Sequence, residues 1–268
     1  MRYVSLIIEI VLAGYIVRES LRALPLYRQL KREIATGDPG ARSRMYRQIL
    51  AFQGITAVLA LSALRFDWSR LTPRPLNLTD SALVQWLHHH EQLVRGEVGG
   101  MFIGAALGMV GAIALRVWRN RRSGKPAAAV RESRKSGWLP DFSALLPVTA
   151  RERLLFAAVA LSAGVCEEVV FRGWLLAALH GQLGLQGGWL ILIAAAIFGL
   201  AHAYQKISGV ALTGLLGAVF CLLYVVTGSL LLPIILHVFI DIRFALLPAP
   251  RKQELEGLET AAAMTGRS

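Results

Sequence analysis

The sequence predicts an all-α fold, a polytopic transmembrane helical bundle of about seven spans with a core of four C-terminal helices. Its 268 residues are 55% hydrophobic and only 17% charged, and the mean hydropathy of +0.51 is too apolar for an ordinary soluble domain. Apolar runs of about 20 residues, the length that crosses a bilayer as a helix, recur along the chain. Seven candidate segments lie at 3–18, 46–64, 98–118, 154–178, 188–204, 207–227 and 229–247.

The first segment, 3–18, is short and holds Glu9 near its middle. Its position is that of a signal peptide. An acid inside the apolar run and the lack of a clear A-x-A cleavage site favour an uncleaved helix. We therefore expect it to remain as the first helix of the bundle.

The connections between segments differ in basic charge, and this orients the bundle. Residues 18–47 hold eight Lys and Arg, 65–97 hold four and 116–153 hold ten. Because cytoplasmic loops are enriched in these residues, the first and third connections are expected inside the cell. This places the N-terminus outside and, after seven spans, the C-terminus in the cytoplasm.

A basic linker at 119–148 divides the chain. It separates an N-terminal three-helix region, 1–118, from a four-helix region, 149–250, and a polar tail follows at 251–268. The net charge of +12 is compatible with nucleic-acid binding, but the basic residues gather between apolar runs, as in membrane loops. We therefore expect a lipid bilayer, and not nucleic acid, as the partner.

Three further features are interpreted as structural. The histidines at 88–90 fall in a predicted outer loop and are expected to form a solvated turn. A G-x-x-x-G-x-x-x-G pattern at 100–108 suits close helix packing. Cys166 and Cys221 lie in apolar runs without metal-ligand spacing, so neither a disulfide framework nor a zinc module is predicted.

The four-helix region opens with TARE, Thr149 to Glu152. This is a capping-box pattern, in which the Thr and Glu side chains satisfy the first free backbone amides of a helix. It predicts a long helix that begins near Ala150.

Within that helix the stretch CEEVVFRGWLL places two carboxylates and an arginine in an apolar run. At about 100° per residue, Glu168 and Arg172 share a helix face, whereas Glu167 points about 100° away. The arginine can neutralise Glu168 and leave Glu167 free. An unpaired carboxylate at membrane depth requires a partner from another helix, so Glu167 is predicted to handle protons.

Two later segments supply such partners. FGLAH places Phe198 and His202 on one helix face, and HVFID does the same for His237 and Asp241. A lone intramembrane His is often a packing residue, and one Glu–Arg pair can simply fix helix register. Six polar side chains on three helices instead favour a water-activating hydrolytic site, because polar groups in an apolar bundle face inward and meet.

These motifs in this order, E-E-x-x-x-R, F-x-x-x-H and H-x-x-x-D, resemble the CPBP family, also called the ABI family. That family comprises the type II CAAX prenyl endopeptidases and the bacteriocin-processing or immunity-related membrane proteases. The similarity covers roughly residues 150–250. It implies an all-helical intramembrane peptidase, here in a bacterial-type inner membrane, with a cavity that opens mainly to the cytoplasm.

The resemblance also implies roles for the polar side chains. Glu167 and His202 would activate the attacking water, as a carboxylate and an imidazole flanking one water can do. Site support would come from Glu168, Arg172 and Phe198.

His237 and Asp241 would stabilise the oxyanion in the same scheme. An ionised Asp241 repels an oxyanion, however. Unless it is protonated, it must therefore act by orienting His237, which is the role we prefer.

A zinc-dependent version of the same protease stays open at this stage. Glu167, His202, His237 and Asp241 could ligate a divalent metal, and the family has been described both as metalloproteases and as glutamic-type proteases. Because H-E-x-x-H is absent and Arg172 accounts for the second acid, chemistry without metal or other cofactor is favoured.

The expected reaction is hydrolysis of a peptide bond in a membrane-associated protein or peptide. A prenylated CAAX protein is the eukaryotic substrate of the family, and the sequence does not identify the substrate here. The alternative is a non-catalytic bacteriocin-immunity or scaffolding membrane protein. A proton-coupled transporter is disfavoured, because paired broken helices and internal repeats are absent from the sequence.

Overall fold

The computed structural model describes residues 2–66 and 142–245, which form helices joined by short turns. No strand occurs within these two ranges, and the predicted all-α class is confirmed. The α-helices are α1 (Arg2–Ala35), α2 (Ala41–Ala63), α3 (Ala150–Glu168), α4 (Leu176–Leu183), α5 (Gly187–Ala201), α6 (Lys206–Thr227) and α7 (Leu231–Ile242). A π-helical segment lies at Val169–Leu175, and 3₁₀ turns lie at Ser143–Leu145 and Ala203–Gln205.

Several predicted features lie outside the described residues. They are the span 98–118 with its glycine pattern at 100–108, the histidines at 88–90, most of the linker 119–148 and the tail 251–268. These features stay predictions.

Helix α1 is about twice as long as the predicted segment 3–18 and continues to Ala35. The helix continues past the predicted end of the span at 18, because the apolar character ends there while helix-forming residues such as Arg, Leu and Glu continue. Glu19 also pairs with Arg22 one turn later, at 3.0 Å. Most of the predicted first loop is therefore helical, and the described chain turns between α1 and α2 only at 36–40.

The predicted start of a long helix at Ala150 is confirmed by its cap. Thr149 Oγ1 accepts a hydrogen bond from the backbone N–H of Glu152 at 3.2 Å, and Glu152 Oε2 accepts one from the backbone N–H of Thr149 at 3.0 Å. From there the chain stays helical through α3, the π-helical segment and α4. The result is one 34-residue rod, Ala150–Leu183, longer than the predicted 154–178.

Two helical stretches of the described chain are long and apolar enough to cross a membrane, Ala150–Leu183 and Ala203–Thr227. Only 39% and 33% of their most apolar windows are buried inside the protein, whereas the core helix of a soluble protein is mostly buried. Large apolar side chains such as Leu161 and Leu215 are exposed on them. Surfaces of this kind suit contact with lipid.

Helix α3 lies between α2 and α7 and packs against both. Its approach to α7 depends on Gly164, since a Cβ at this position would meet Val238 Cγ2 at 2.3 Å and the Val238 backbone nitrogen at 3.0 Å. The bare backbone of Gly164 therefore lets α7 bring its polar side chains up to those of α3.

The last residues of the predicted linker are held by the N-terminal helices. Arg42 donates from Nε to the carbonyl of Ala144 at 3.0 Å, and the Tyr46 hydroxyl donates to the carbonyl of Leu145 at 2.7 Å. Residues 142–146 thus dock onto α1 and α2.

Helices α5 and α6 approach closely at two glycines. A Cβ on Gly199 would lie 2.6 Å from the carbonyl oxygen of Val210 and 3.1 Å from the Cα of Gly214. These neighbours are backbone atoms and cannot rotate away. The contact therefore fixes the separation of the two helices beside Phe198.

Replacing Gly199 with alanine should lower the free energy of unfolding by about 1 to 3 kcal/mol, because the backbone of α6 must shift to admit the methyl group. Gly188→Ala is the matched control, since it lies in the same helix with nothing within 4 Å of an added Cβ. Thermal unfolding in detergent measures both. Equal midpoints for the two variants would contradict the close-packing argument.

Candidate active site

The deepest part of the bundle holds a buried cluster of Glu168, Arg172 and His237. Arg172 donates from Nη1 to Glu168 Oε1 at 3.0 Å, so the pairing predicted from their spacing is present. His237 Nδ1 lies 2.7 Å from the same oxygen. Glu168 and Arg172 are 0% and 1% exposed, so this carboxylate is shielded from solvent and serves as an anchor for two other side chains.

Aromatic rings and a backbone carbonyl complete the surroundings of Arg172. Its guanidinium lies 4.5 Å from the centroid of the Phe198 ring and 5.3 Å from that of Phe220, distances that give cation–π attraction. Its Nη2 donates to the carbonyl of Gly217 at 3.1 Å. The arginine thus ties the π-helical segment to α5 and α6.

The arginine lies in a π-helical stretch, Val169–Leu175, whose seven residues are all buried. A π-helical insertion widens the turn by one residue, and such insertions are frequent at functional sites. Glu167 and Glu168, which close α3, lie directly before it. The change of helical pitch thus falls at the point where the two carboxylates must face different neighbours.

Glu167 faces three side chains from three other helical elements. Its Oε2 lies 4.0 Å from His202 Nε2 and 3.9 Å from His237 Nε2. Its Oε1 accepts a long hydrogen bond, 3.5 Å, from Gln53 Nε2 of α2. Within the described part of the chain, Oε2 itself has no hydrogen-bond partner.

His202 lies directly after the last residue of α5, and its ring is fixed by its own helix. Nδ1 lies 2.9 Å from the carbonyl oxygen of Phe198. A carbonyl can only accept, so Nδ1 carries the hydrogen, and the neutral ring presents a lone pair at Nε2. That lone pair is on the nitrogen nearer to Glu167.

Asp241 lies one turn beyond His237 on α7, with Oδ2 3.6 Å from His237 Nε2. The preferred interpretation from sequence was that Asp241 orients His237. In the structure the closer carboxylate is Glu168, at Nδ1. Asp241 is the more exposed of the two, and it lies on the side of the ring that faces Glu167.

A cavity of about 190 Å³ opens beside Glu167 and His202. Its walls come mainly from α1 and α2 and are largely apolar, with Phe52, Ile49 and Leu26 among them. Gln53 and Tyr204 also line it. The carboxylate and the imidazole therefore lie in the wall of a mainly apolar cavity rather than inside solid protein.

The distances between the candidate ligand atoms of Glu167, His202 and His237 test whether a zinc ion fits. Ligand atoms about 2 Å from a tetrahedral zinc lie about 3.3 Å from one another. The distances from Glu167 Oε2 to His202 Nε2 and His237 Nε2 are 4.0 and 3.9 Å. Within residues 2–66 and 142–245, no group of three or more His, Cys, Asp or Glu side chains is arranged to hold a metal ion, so the donor set does not fit zinc as it stands.

Comparison with known proteins identifies the region that carries this site. Residues 149–243 match a family model, Rce1-like, described as type II CAAX prenyl endopeptidase Rce1-like. The match supports the CPBP, or CAAX protease, family that the motifs predict, and residues 149–243 are called the CPBP region below. No curated protein and no solved structure shows a significant match to the chain.

The CPBP region contains all seven residues singled out from sequence, and the structure brings them together. They are Glu167, Glu168, Arg172, Phe198, His202, His237 and Asp241. The family is one of membrane proteases, and together with the two long apolar helices it makes this chain an integral membrane protein. The predicted family is confirmed.

Two groups at the site were missed by sequence reasoning. The carbonyl of Gly217 carries no side-chain signal at all. Gln53 lies in α2, outside the CPBP region and 114 residues from Glu167. A polar amide within the apolar segment 46–64 was the one available signal for it.

Proposed function

We propose that the protein is an intramembrane endopeptidase that hydrolyses a peptide bond of a membrane-associated protein or peptide. The observation that carries this proposal is the unpartnered Oε2 of Glu167, which faces Nε2 of two histidines in the wall of a cavity. A water molecule between Glu167 and His202 would have a carboxylate base on one side and an imidazole base on the other. The protease character of the family supports the same conclusion.

In the proposed reaction Glu167 and His202 share the attacking water. Glu167 removes a proton as the water oxygen attacks the scissile carbonyl carbon, while the lone pair on His202 Nε2 accepts the other hydrogen of the water in a hydrogen bond. Glu167 then returns the proton to the leaving amine. Each proton taken up in the first step is thus released in the second.

His237 is assigned to the oxyanion. In its doubly protonated form it donates from Nδ1 to Glu168 and from Nε2 towards the carbonyl oxygen of the substrate. Glu168 and Asp241 lie on opposite sides of the ring and neutralise that charge. Asp241 thereby acts through His237 and need not face the oxyanion itself.

A water molecule, and not a zinc ion, is proposed as the bridging group. Two hydrogen bonds of about 2.8 Å that a water donates at about 105° to each other span about 4.4 Å. The 4.0 Å between Glu167 Oε2 and His202 Nε2 is closer to this span than to the separation of about 3.3 Å between zinc ligands. The spacing supports chemistry without a cofactor.

The cavity suggests which substrates fit. Its largely apolar lining, next to Glu167 and His202, suits a substrate with an apolar side chain or a lipid chain near the scissile bond. A prenylated CAAX-type protein has both features, and we propose it as the first substrate class to test.

The predicted topology is retained as part of the proposal. It comprises seven spans in a bacterial-type inner membrane, with the N-terminus outside and both the C-terminus and the opening of the active site in the cytoplasm. The three-helix region 1–118, the linker 119–148, the protease region 149–250 and the tail 251–268 are its parts.

Peptidase activity of the purified protein in detergent tests the proposal. A farnesylated peptide and the same peptide without lipid are incubated with the wild-type protein, with and without a chelator. The double variant with Glu167→Ala and His202→Ala serves as the inactive control. We expect the wild type to cleave at unchanged rate in the chelator and the double variant to show no cleavage.

Other outcomes separate the alternatives. Activity lost in the chelator and restored by zinc would favour the zinc-dependent version. Undiminished activity of the double variant would show that Glu167 and His202 do not take part in catalysis. A folded wild type that cleaves neither peptide would favour the non-catalytic immunity or scaffolding protein.

A further inference from the structure

Gln53 is the one uncharged polar side chain of α2 that reaches a carboxylate of the site. It is 2% exposed, and its Nε2 is 3.5 Å from Glu167 Oε1. The neighbouring buried Thr56 behaves differently, because its hydroxyl bonds back to carbonyls of its own helix. Gln53 is therefore directed to the site, whereas Thr56 is satisfied locally.

The burial of Gln53 is unfavourable for stability. Its Oε1 has no hydrogen-bond partner among the described residues, and a buried unsatisfied acceptor lowers stability. An apolar side chain of similar volume avoids that loss. Groups that lower stability in this way are typical of functional sites.

The hydrogen bond acts on the orientation of Glu167. Rotation about the terminal side-chain bond of a glutamate can turn either carboxylate oxygen towards a given neighbour. A donor at Oε1 holds that oxygen towards α2 and leaves Oε2 towards the histidines. The charged and titratable groups around Glu167 include His202 at the end of α5, the nearby Tyr204, His237 and Asp241 on α7, and Cys166, Glu168 and Arg172 on its own rod.

We propose that Gln53, from a helix outside the family-matched region, is a positioning residue that fixes the Glu167 carboxylate for water activation. This inference rests on the proposed function. The site would then be completed by the N-terminal helices, and residues 149–243 would form only part of it.

Gln53→Met tests the inference, because methionine keeps the length of the side chain and removes the donor. We expect kcat to fall by up to about 10-fold with KM unchanged within twofold, since the hydrogen bond is long, at 3.5 Å, but is made to a charged group. The unfolding midpoint should stay equal or rise. Gln53→Glu, which removes the donor and adds a like charge, should lower kcat further.

Gln29→Met is the matched control, since Gln29 also donates to a carboxylate, Glu33 Oε1 at 2.8 Å, but lies on the exposed surface of α1 outside the cavity lining. It should retain wild-type kcat. An infrared difference spectrum adds a readout that does not depend on activity. The carboxylate band that disappears in Glu167→Gln should shift in Gln53→Met and stay in place in Gln29→Met.

Different results would overturn the proposed function and the positioning role of Gln53. An inactive wild type, or an active Glu167→Gln variant, would overturn the proposed function, while the infrared band would still decide whether Gln53 holds Glu167. Wild-type kcat together with an unshifted band in Gln53→Met would overturn the inference alone. A raised KM at constant kcat would make Gln53 a substrate-binding residue and would also overturn it.

Discussion

Replacing Glu167 with glutamine should lower kcat/KM about 1,000-fold and leave the unfolding midpoint unchanged. The amide cannot accept a proton from the water, and general acid–base groups contribute about 10²- to 10⁴-fold. Stability is retained because Oε2 makes no hydrogen bond in the described structure and the amide oxygen can still accept from Gln53. Peptide cleavage and thermal unfolding in the same detergent give the two numbers.

Glu168→Gln is the matched change at the adjacent position, and it should lower stability as well as activity. Glu168 is fully buried and accepts from both Arg172 and His237. Removing its charge leaves the arginine uncompensated, so the unfolding midpoint should fall along with activity. A stable Glu168→Gln variant beside an unstable Glu167→Gln variant would reverse the roles assigned to the two acids.

Arg172→Met should be the most destabilising substitution at the site, lowering the free energy of unfolding by about 3 to 5 kcal/mol. Removing one member of a buried ion pair strands the other in a medium that solvates it poorly. The guanidinium also bonds the Gly217 carbonyl and packs on two phenylalanine rings. For a protein of this size the melting temperature should drop by roughly 10 °C.

Arg22→Met is the control for that loss. Arg22 makes an ion pair with Glu19 at the same distance of 3.0 Å, but its side chain is 50% exposed. Exposed pairs contribute about 0 to 1 kcal/mol, so the melting temperature should change little. Similar shifts for the two variants would show that burial of the Arg172 pair does not determine its contribution.

Features that depend on local spacing could be predicted from the sequence. The capping box needs residues three apart and fixed the helix start at Ala150. The Glu168–Arg172 pair needs residues four apart on one helix. The convergence of the three motifs followed from the rule that polar groups in an apolar bundle face inward.

Features that depend on tertiary contact could not be predicted in this way. The partnership of Glu168 with His237 joins residues 69 apart, and that of Glu167 with Gln53 joins residues 114 apart. The π-helical segment was missed because the angle of about 100° per residue assumes a uniform α-helix. The length of α1 was missed because hydropathy measures fitness for lipid and not the tendency to form a helix.

The site gathers side chains from the beginning, middle and end of the described chain, and this has a consequence during biosynthesis. Gln53 is translated more than one hundred residues before Glu167, and His237 and Asp241 follow only with α7. A growing chain that ends before α7 contains Glu167 and His202 but lacks His237, the proposed oxyanion donor. Hydrolytic competence should therefore arise only with insertion of α7, so that stalled fragments are unable to cleave neighbouring membrane proteins.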